Sequence, residues 1–408
     1  MMDAQTRGAE PVPGLFVTVA VLLIASMTVM ANATIAPSLP GLKDHFSTTP
    51  GIETLLGLIL TLPSAAIVLT AGIFGWLADR VDRRPLLILS AGLYAVGGAS
   101  GLWAETLPQL LVGRAILGLG VAGTMTLGMV WATDLWHGAA RARFMGLQGA
   151  AMSGGGIVVV LLGGALATLH WRGAFAVYLL SIPVAAVATR ALAPYNRQRA
   201  ETRAERRAAP KPDDAFPWGA YAFVGSLAFL FMAVFYVMPT RLPFRLAEIG
   251  VTNSLQVGMV MACMTLAAIP GSLSYGRLRR HLSALSVFAL SYGMMGAGMF
   301  VISQASGLGM VIAGTLLAGA GMGPSMPNFS TYFMSFVPPA VRGRASGLLT
   351  TAFFAGQFAS PLVSAPLVAA YGLAGGISVM SMLMLAIAAA LFLIAMRRPE
   401  AATRSENA

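Results

Sequence analysis

The sequence predicts an all-α membrane protein: twelve transmembrane helices in two pseudo-symmetric six-helix bundles. Three observations predict it. Of 408 residues, 57% are hydrophobic and 10% charged, against about 25% charged in a soluble domain. Such a mixture cannot clothe a water-facing surface. The apolar residues fall in blocks of about 20–28, each long enough to cross a hydrocarbon core of about 30 Å as a helix. Barrel strands would instead give short alternating segments. Finally, the basic residues in the short breaks between blocks recur at matching places in the two halves of the chain.

In order, the spans cover about 14–39, 53–77, 85–104, 107–132, 144–168, 173–193, 217–240, 253–275, 284–303, 308–336, 345–370 and 374–396, each about the length a bilayer requires. The first ends in Ala31-Asn32-Ala33, which has the form of a signal-peptide cleavage site. Cleavage there would leave eleven spans and spoil the internal repeat, so the uncleaved reading is preferred. The one long internal break is polar and basic, with Arg197, Arg199, Arg203, Arg206, Arg207 and Lys211. It divides the chain into an N-terminal bundle (1–193), a cytoplasmic linker (194–216) and a C-terminal bundle (217–408). With both termini inside, 21 of the 26 Lys and Arg residues fall on the cytoplasmic side: Lys43, Arg172, Arg241 and Arg245 lie in outside loops and Arg114 within a span. The positive-inside rule is satisfied, so the net charge of +11 reports topology rather than nucleic-acid binding.

Composition also narrows the chemistry. Cys263 is the single cysteine, and His45, His137, His170 and His281 all stand at block edges, which gives no disulfide within the chain and no Cys/His metal set. Neither the phosphate-cradling G-x-x-x-x-G-K-[ST] loop nor the H-E-x-x-H zinc helix occurs. The expectation is a protein without a cofactor that moves a small molecule and catalyses no covalent reaction.

The repeat is specific. Arg141-x-Arg143-x-x-Gly146 recurs as Arg342-x-Arg344-x-x-Gly347, an offset of 201, and Gly118-Leu119-Gly120 recurs as Gly319-Ala320-Gly321 at the same offset. Arg83-Arg84 corresponds to Arg279-Arg280 at an offset of 196. Two related six-helix halves are a recurrent transporter design, with the substrate site between them near the midplane.

The most specific motif is Gly75-Trp76-Leu77-Ala78-Asp79-Arg80-Val81-Asp82-Arg83-Arg84-Pro85. It resembles the loop between the second and third helices of the major facilitator superfamily, and with span count and repeat the resemblance covers essentially the whole chain. It implies that Asp79, Arg80, Arg83 and Arg84 belong to a cytoplasmic charge cluster that latches the halves together when the protein faces outward. Asp82 stands where the family usually has glycine; aspartate tolerates a left-handed backbone better than most residues. Asp134, followed by Arg141 and Arg143, resembles the family's extension of that latch; an ordinary interfacial acid is the bland alternative. In the second half Tyr275 replaces Asp79, so no equivalent latch is expected there. Leu110-x-x-Gly113-Arg114-x-x-x-Gly118-x-Gly120 resembles the fourth-helix motif. An arginine inside a span costs about 2.5–3.5 kcal/mol on insertion scales and normally faces a cavity or a partner. Arg114 is therefore expected near Asn32 of the first helix, holding helices together, contacting an anionic substrate, or both. The fifth span, with Gly149, Gly154, Gly155 and Gly156, lacks the Gly-Pro pair of the drug-antiporter branch, which weakens that inference. In the tenth, Gly321-Met-Gly-Pro324-Ser-Met-Pro327-Asn328 is expected to interrupt the helix. The resemblance makes Asn32, Arg114, Tyr236, Thr315, Asn328, Tyr332 and Gln357 the candidate cavity residues.

No carboxylate lies at mid-membrane, which disfavours strictly cationic substrates. The resemblance implies proton coupling, with Asp79, Asp134 and Glu53 as candidate carriers. The leading expectation is a monomeric, proton-coupled exporter of drug-like or metabolite compounds in a bacterial inner membrane. Import of a small organic anion is the alternative within transport, and a non-transporting membrane sensor the alternative outside it.

Overall fold

The computed structural model describes residues 13–197 and 216–397. Among these residues, eleven helical runs are long and apolar enough to cross a membrane. The N-terminal bundle comprises α1 (Leu15–Ala33), α2 (Ile52–Ala78), α3 (Arg83–Ala99), α4 (Leu107–Leu135), α5 (Gly138–Leu169) and α6 (Ser181–Arg197), the last entered through a 3-10 stretch, Trp171–Leu180. The C-terminal bundle begins with α7 (Trp218–Phe235), which continues as Val237–Glu248, and adds α8 (Ser254–Leu273), α9 (Ala284–Ser303) and α10 (Leu308–Met334). The last run, Arg342–Arg397, has 56 residues, or about 84 Å of helix at 1.5 Å per residue, far more than one crossing needs. Gly372 breaks it at φ 71°, ψ 175°, a backbone open to glycine and costly for residues with a Cβ. The result is α11 (342–371) and α12 (373–397), which makes twelve crossings.

The internal repeat has a packing cause. A Cβ on Gly118 would meet the Pro63 carbonyl of α2 at 2.6 Å, and one on Gly120 would strike the α3 backbone at Ser90 and Tyr94. In the second half, a Cβ on Gly319 would strike Met264 of α8, and one on Gly321 would meet the Ser291 carbonyl of α9 at 2.7 Å. In each half, therefore, the fourth helix seats two neighbours through two glycines two residues apart. Small residues permit such backbone approach where no hydrophobic driving force acts between helices.

Three expectations change. The α10 helix runs unbroken through Pro324 and Pro327, because a membrane helix packed on neighbours tolerates the lost backbone bonds; Gly271 and Gly323 let α8 approach it closely there. The segment expected as an outside loop after the seventh span is helical and largely buried through Leu246, and it includes Arg241. The sixth helix runs through Pro194 to Arg197, so the expected linker begins later. Arg199, Arg203, Arg206, Arg207 and Lys211 of that linker lie outside the described residues.

Candidate functional site

Most basic residues gather at one end of the bundle. There Asp79 is the C-cap of α2. Its side chain is exposed and makes no ion pair among the described residues. Arg80 turns back over the Trp76 ring at 3.9 Å. Asp82 is extended (φ −62°, ψ 134°) and N-caps α3 by accepting from the Arg84 backbone N–H. Aspartate thus serves here as a cap, and the left-handed turn anticipated for it is not formed. Arg83 Nη1 donates to Asp134 Oδ2 at 2.9 Å, with both residues buried. The loop is thereby pinned to the end of α4 inside its own half. Arg84, Arg141 and Arg143 are exposed. In the second half the corresponding pin is neutral. The Tyr275 hydroxyl donates to Asn328 Oδ1 at 3.3 Å and also bonds Thr331, while Asn328 Nδ2 donates to the Ala284 carbonyl at 2.9 Å. Asn328 therefore ties the short helix Tyr275–His281 to α9 and α10 at the basic end, and it is fully buried.

The halves meet along two seams. Between α2 and α11, a Cβ on Gly57 would meet Pro361 Cβ at 2.5 Å, and Ser64 Oγ donates to Gln357 Oε1 at 2.9 Å. Gln357 Nε2 also approaches Met232 Sδ of α7 at 3.9 Å. Ser64 stands twelve residues into α2, about 18 Å along its axis, hence near mid-depth. Between α5 and α8, a Cβ on Gly164 would meet the Ser254 carbonyl at 2.8 Å, and one on Gly258 the Val160 carbonyl at 3.1 Å. These pairings lie at mid-depth or toward the end away from the basic loops. Toward the basic end, by contrast, the faces of α5 around Gly146 and Gly149 and of α11 around Gly343 and Gly347 are exposed.

Of the other expected cavity residues, Tyr236 is half-buried where α7 meets its continuation. Tyr332 is half-buried against Phe288 and Phe336. Thr315 is fully buried and donates to the Val311 carbonyl of its own helix. The Asn32 side chain lies outside the described residues. Arg114 is fully buried, but its guanidinium turns to α3 and to the 3-10 stretch before α6 rather than to α1: Nη2 donates to the Gly97 and Gly98 carbonyls at 3.2 and 2.5 Å. The rings of Phe175 and Tyr178 lie 5.0 and 4.9 Å from it. The carbonyls at a helix C-terminus lack partners and carry partial negative charge, so a buried cation there answers both needs. Tyr178 completes the link by donating to the Ala31 carbonyl of α1 at 2.9 Å.

Two arginines at the opposite end do the same work. Arg172 donates to the carbonyls of Leu102 and Ala104 beyond α3, and Arg245 to those of Ser303, the last residue of α9, and Ala305 beyond it. Here too the halves touch: Val237–Glu248 packs on the short helices Ala36–Ser38 and Leu39–His45 and on α2. Lys43 pairs with Glu53 at 2.6 Å and sits over the Phe244 ring at 5.6 Å. Beneath them Arg241 is 1% exposed, within the field of Glu53. Sequence reasoning missed Ser64, Met232, Phe244 and the burial of Arg241. Only Ser64, a polar residue beside a mid-span proline, carried a signal.

A family model described as Major Facilitator Superfamily matches residues 21–361 and 242–408. The chain is 24% identical over 342 residues to the sialic acid transporter NanX of Escherichia coli (strain K12), covering 81% of this chain and 82% of that protein. It is 23% identical over 346 residues to the class H tetracycline resistance protein of Pasteurella multocida, covering 81% and 84%. Among solved structures, it resembles a bacterial homolog of the human lysosomal transporter Spinster in an inward-facing, occupied conformation. The TM-score is 0.73 at 19% identity, over 96% of this chain and 98% of that one.

Proposed function

Because the chain belongs to the major facilitator superfamily, it is a membrane transporter and not an enzyme, and we propose that it exports drug-like or metabolite compounds by alternating access, in exchange for protons. The observation that carries the alternating-access reading is the asymmetry of the contacts between halves. They join at mid-depth and at the end away from the basic loops, while each half pins its own loop at the basic end. By the positive-inside rule the basic end is cytoplasmic, and the conformation described is then inward-facing, as in the Spinster homolog. In the opposite state the basic ends would close, and Asp79 with Arg80 and Arg84 would be free to latch them. One chain supplies both halves, so a monomer in a bacterial inner membrane suffices.

The mid-depth seam carries neutral groups (Ser64, Gln357 and Met232). Hydrogen bonds between membrane helices average about 0.6 kcal/mol, close to thermal energy, so this one can break in every cycle. Export draws support from the tetracycline resistance relative. A second reading, import of a small organic anion, draws support from the buried Arg241 and from the sialic acid transporter relative. The test is counterflow in proteoliposomes across neutral, anionic and cationic compounds, with and without a pH gradient. Uptake of at least one neutral or anionic compound, stimulated by the gradient, is expected. No counterflow of any compound would overturn transport, and counterflow indifferent to pH would overturn proton coupling.

A further inference from the structure

The arginine at the seam between the halves is chemically unusual. Arg241 lies in Val237–Glu248, where Val237 through Pro243 are all buried. Its side chain is 1% exposed, yet Nε and Nη2 have no hydrogen-bond partner among the described residues. These two nitrogens form one edge of the guanidinium, the edge whose parallel N–H bonds match the two oxygens of a carboxylate. The acid whose charge acts on it, Glu53, is committed to Lys43 at 2.6 Å. Its charge reaches Arg241 through space and not through a hydrogen bond. Arg114, the other fully buried arginine of the membrane region, also leaves Nε and Nη1 without a hydrogen-bond partner among the described residues, but its Nη2 is spent on two helix-terminal carbonyls and its guanidinium packs on two rings, so that its Nε–Nη2 edge is not free. Arg241 has no such structural employment.

Arg241 also stands where the conformational change acts. Its helix packs on the first half through Ala36–Ser38, Leu39–His45 and α2, at the end where the halves are joined. When that end parts, the guanidinium meets water; when it closes, the charge is buried with its bidentate edge unpaired. Closure therefore carries a desolvation penalty that an anion bound along Nε and Nη2 would offset, since paired buried charges cost far less than lone ones.

We propose that Arg241 is the anion-binding residue of this transporter, recognising the carboxylate of a small organic acid, and that the bound anion favours closure of the end opposite the basic loops. This rests on the transporter reading and specifies the substrate chemistry of its second form. Binding energy differing between the two states is what shifts such an equilibrium, so one contact supplies both selectivity and coupling to the motion.

The test reads the seam itself. In a Cys263→Ala background, Ser254→Cys places a thiol where α8 meets Gly164, so its alkylation rate reports how often that end opens. Purified protein is labelled at constant ionic strength in gluconate-free buffer, alone and with sialic acid, its neutral methyl ester, benzoate, benzamide or chloride. Arg241→Gln is expected to slow labelling about tenfold with no anion present, equivalent to a 1.4 kcal/mol shift toward closure. A merely structural arginine predicts the opposite, faster labelling as the seam loosens. In protein with Arg241 retained, at least one of the two carboxylates should slow labelling while its neutral partner does not, and Arg241→Gln should abolish the response. Arg241→Lys should keep the burial penalty and weaken the carboxylate effect. Slowing by chloride alone would assign the site to an inorganic anion and overturn the organic-acid claim. Unchanged or faster labelling of Arg241→Gln would overturn the proposal outright. If counterflow succeeds while these outcomes fail, the transporter reading stands and this one falls.

Discussion

Single charged residues in this protein do three distinct jobs, and partner geometry decides which. Arg83 and Asp134 form a buried ion pair, and removing one member of such a pair typically costs about 3–5 kcal/mol because the other is left uncompensated. Asp134→Asn is therefore expected to lower the unfolding temperature markedly, and adding Arg83→Gln to restore part of it; a thermal-melt double-mutant cycle checks this. Additive losses would mean that the two residues act separately. Arg114 caps the C-terminal end of α3, and hydrogen bonds to a charged group contribute about 1.5–3 kcal/mol each. Arg114→Leu should reduce the yield and melting temperature of folded protein while leaving counterflow per folded molecule within about twofold, roughly 0.4 kcal/mol in the barrier. Loss of counterflow in well-folded Arg114→Leu protein would return Arg114 to the substrate path. Arg241 is the third case, a charge buried where the halves meet, with Nε and Nη2 unpartnered among the described residues.

At the scale of helices, glycines set which pairs can approach and which must part. Gly57 against Pro361 and Gly164 against Ser254 close the seams away from the basic end, and a side chain at either would collide with the opposite half. Gly164→Leu is expected to fold, because only the contact between halves is obstructed, but to keep that end open. Its signature is fast alkylation of a thiol at residue 254 and loss of counterflow; slow alkylation would show that the seam accommodates the added bulk. Gly372 is different, since its requirement is backbone conformation. A β-branched residue at φ 71°, ψ 175°, a region populated almost only by glycine, costs on the order of 1–3 kcal/mol, so Gly372→Val should lower the melting temperature without altering seam labelling. Much at this scale was legible in the sequence. Hydropathy marks bilayer thickness, which is why the twelve crossings could be counted, and the glycine repeat at offset 201 marks real helix contacts. Rotation about each helix axis was not legible. Arg114 was expected near Asn32 of the first helix, and only packing shows that its guanidinium faces Gly97 and Gly98 of α3. Likewise Arg241 follows a span already long enough to cross, so hydropathy alone reads it as loop. In the structure the helix continues 12 residues further, Val237–Glu248, and turns that arginine inward.

For the whole molecule, the arrangement is two six-helix halves joined at mid-depth and at the end away from the basic loops. Each half is internally pinned, by Arg83–Asp134 in the first and by Tyr275–Asn328 in the second, whereas the halves share the Ser64–Gln357 hydrogen bond and glycine-lined backbone contacts. Strong ties within and weak ties between are what a rocking motion requires. The motif Gly75 to Pro85 was readable as residues, but its contacts were not. Asp79 makes no ion pair among the described residues in this conformation, and the faces of α5 and α11 at that end are exposed. The most direct test places spin labels across both ends of protein lacking Cys263: Gly146→Cys with Gly343→Cys at the basic end, and Thr48→Cys with Thr252→Cys at the other. Pulsed dipolar distances should show two populations at each end. A transported compound should shift the two pairs in opposite senses, one distance lengthening as the other shortens. Distances that stay single and fixed at both ends during active counterflow would contradict alternating access by these two halves.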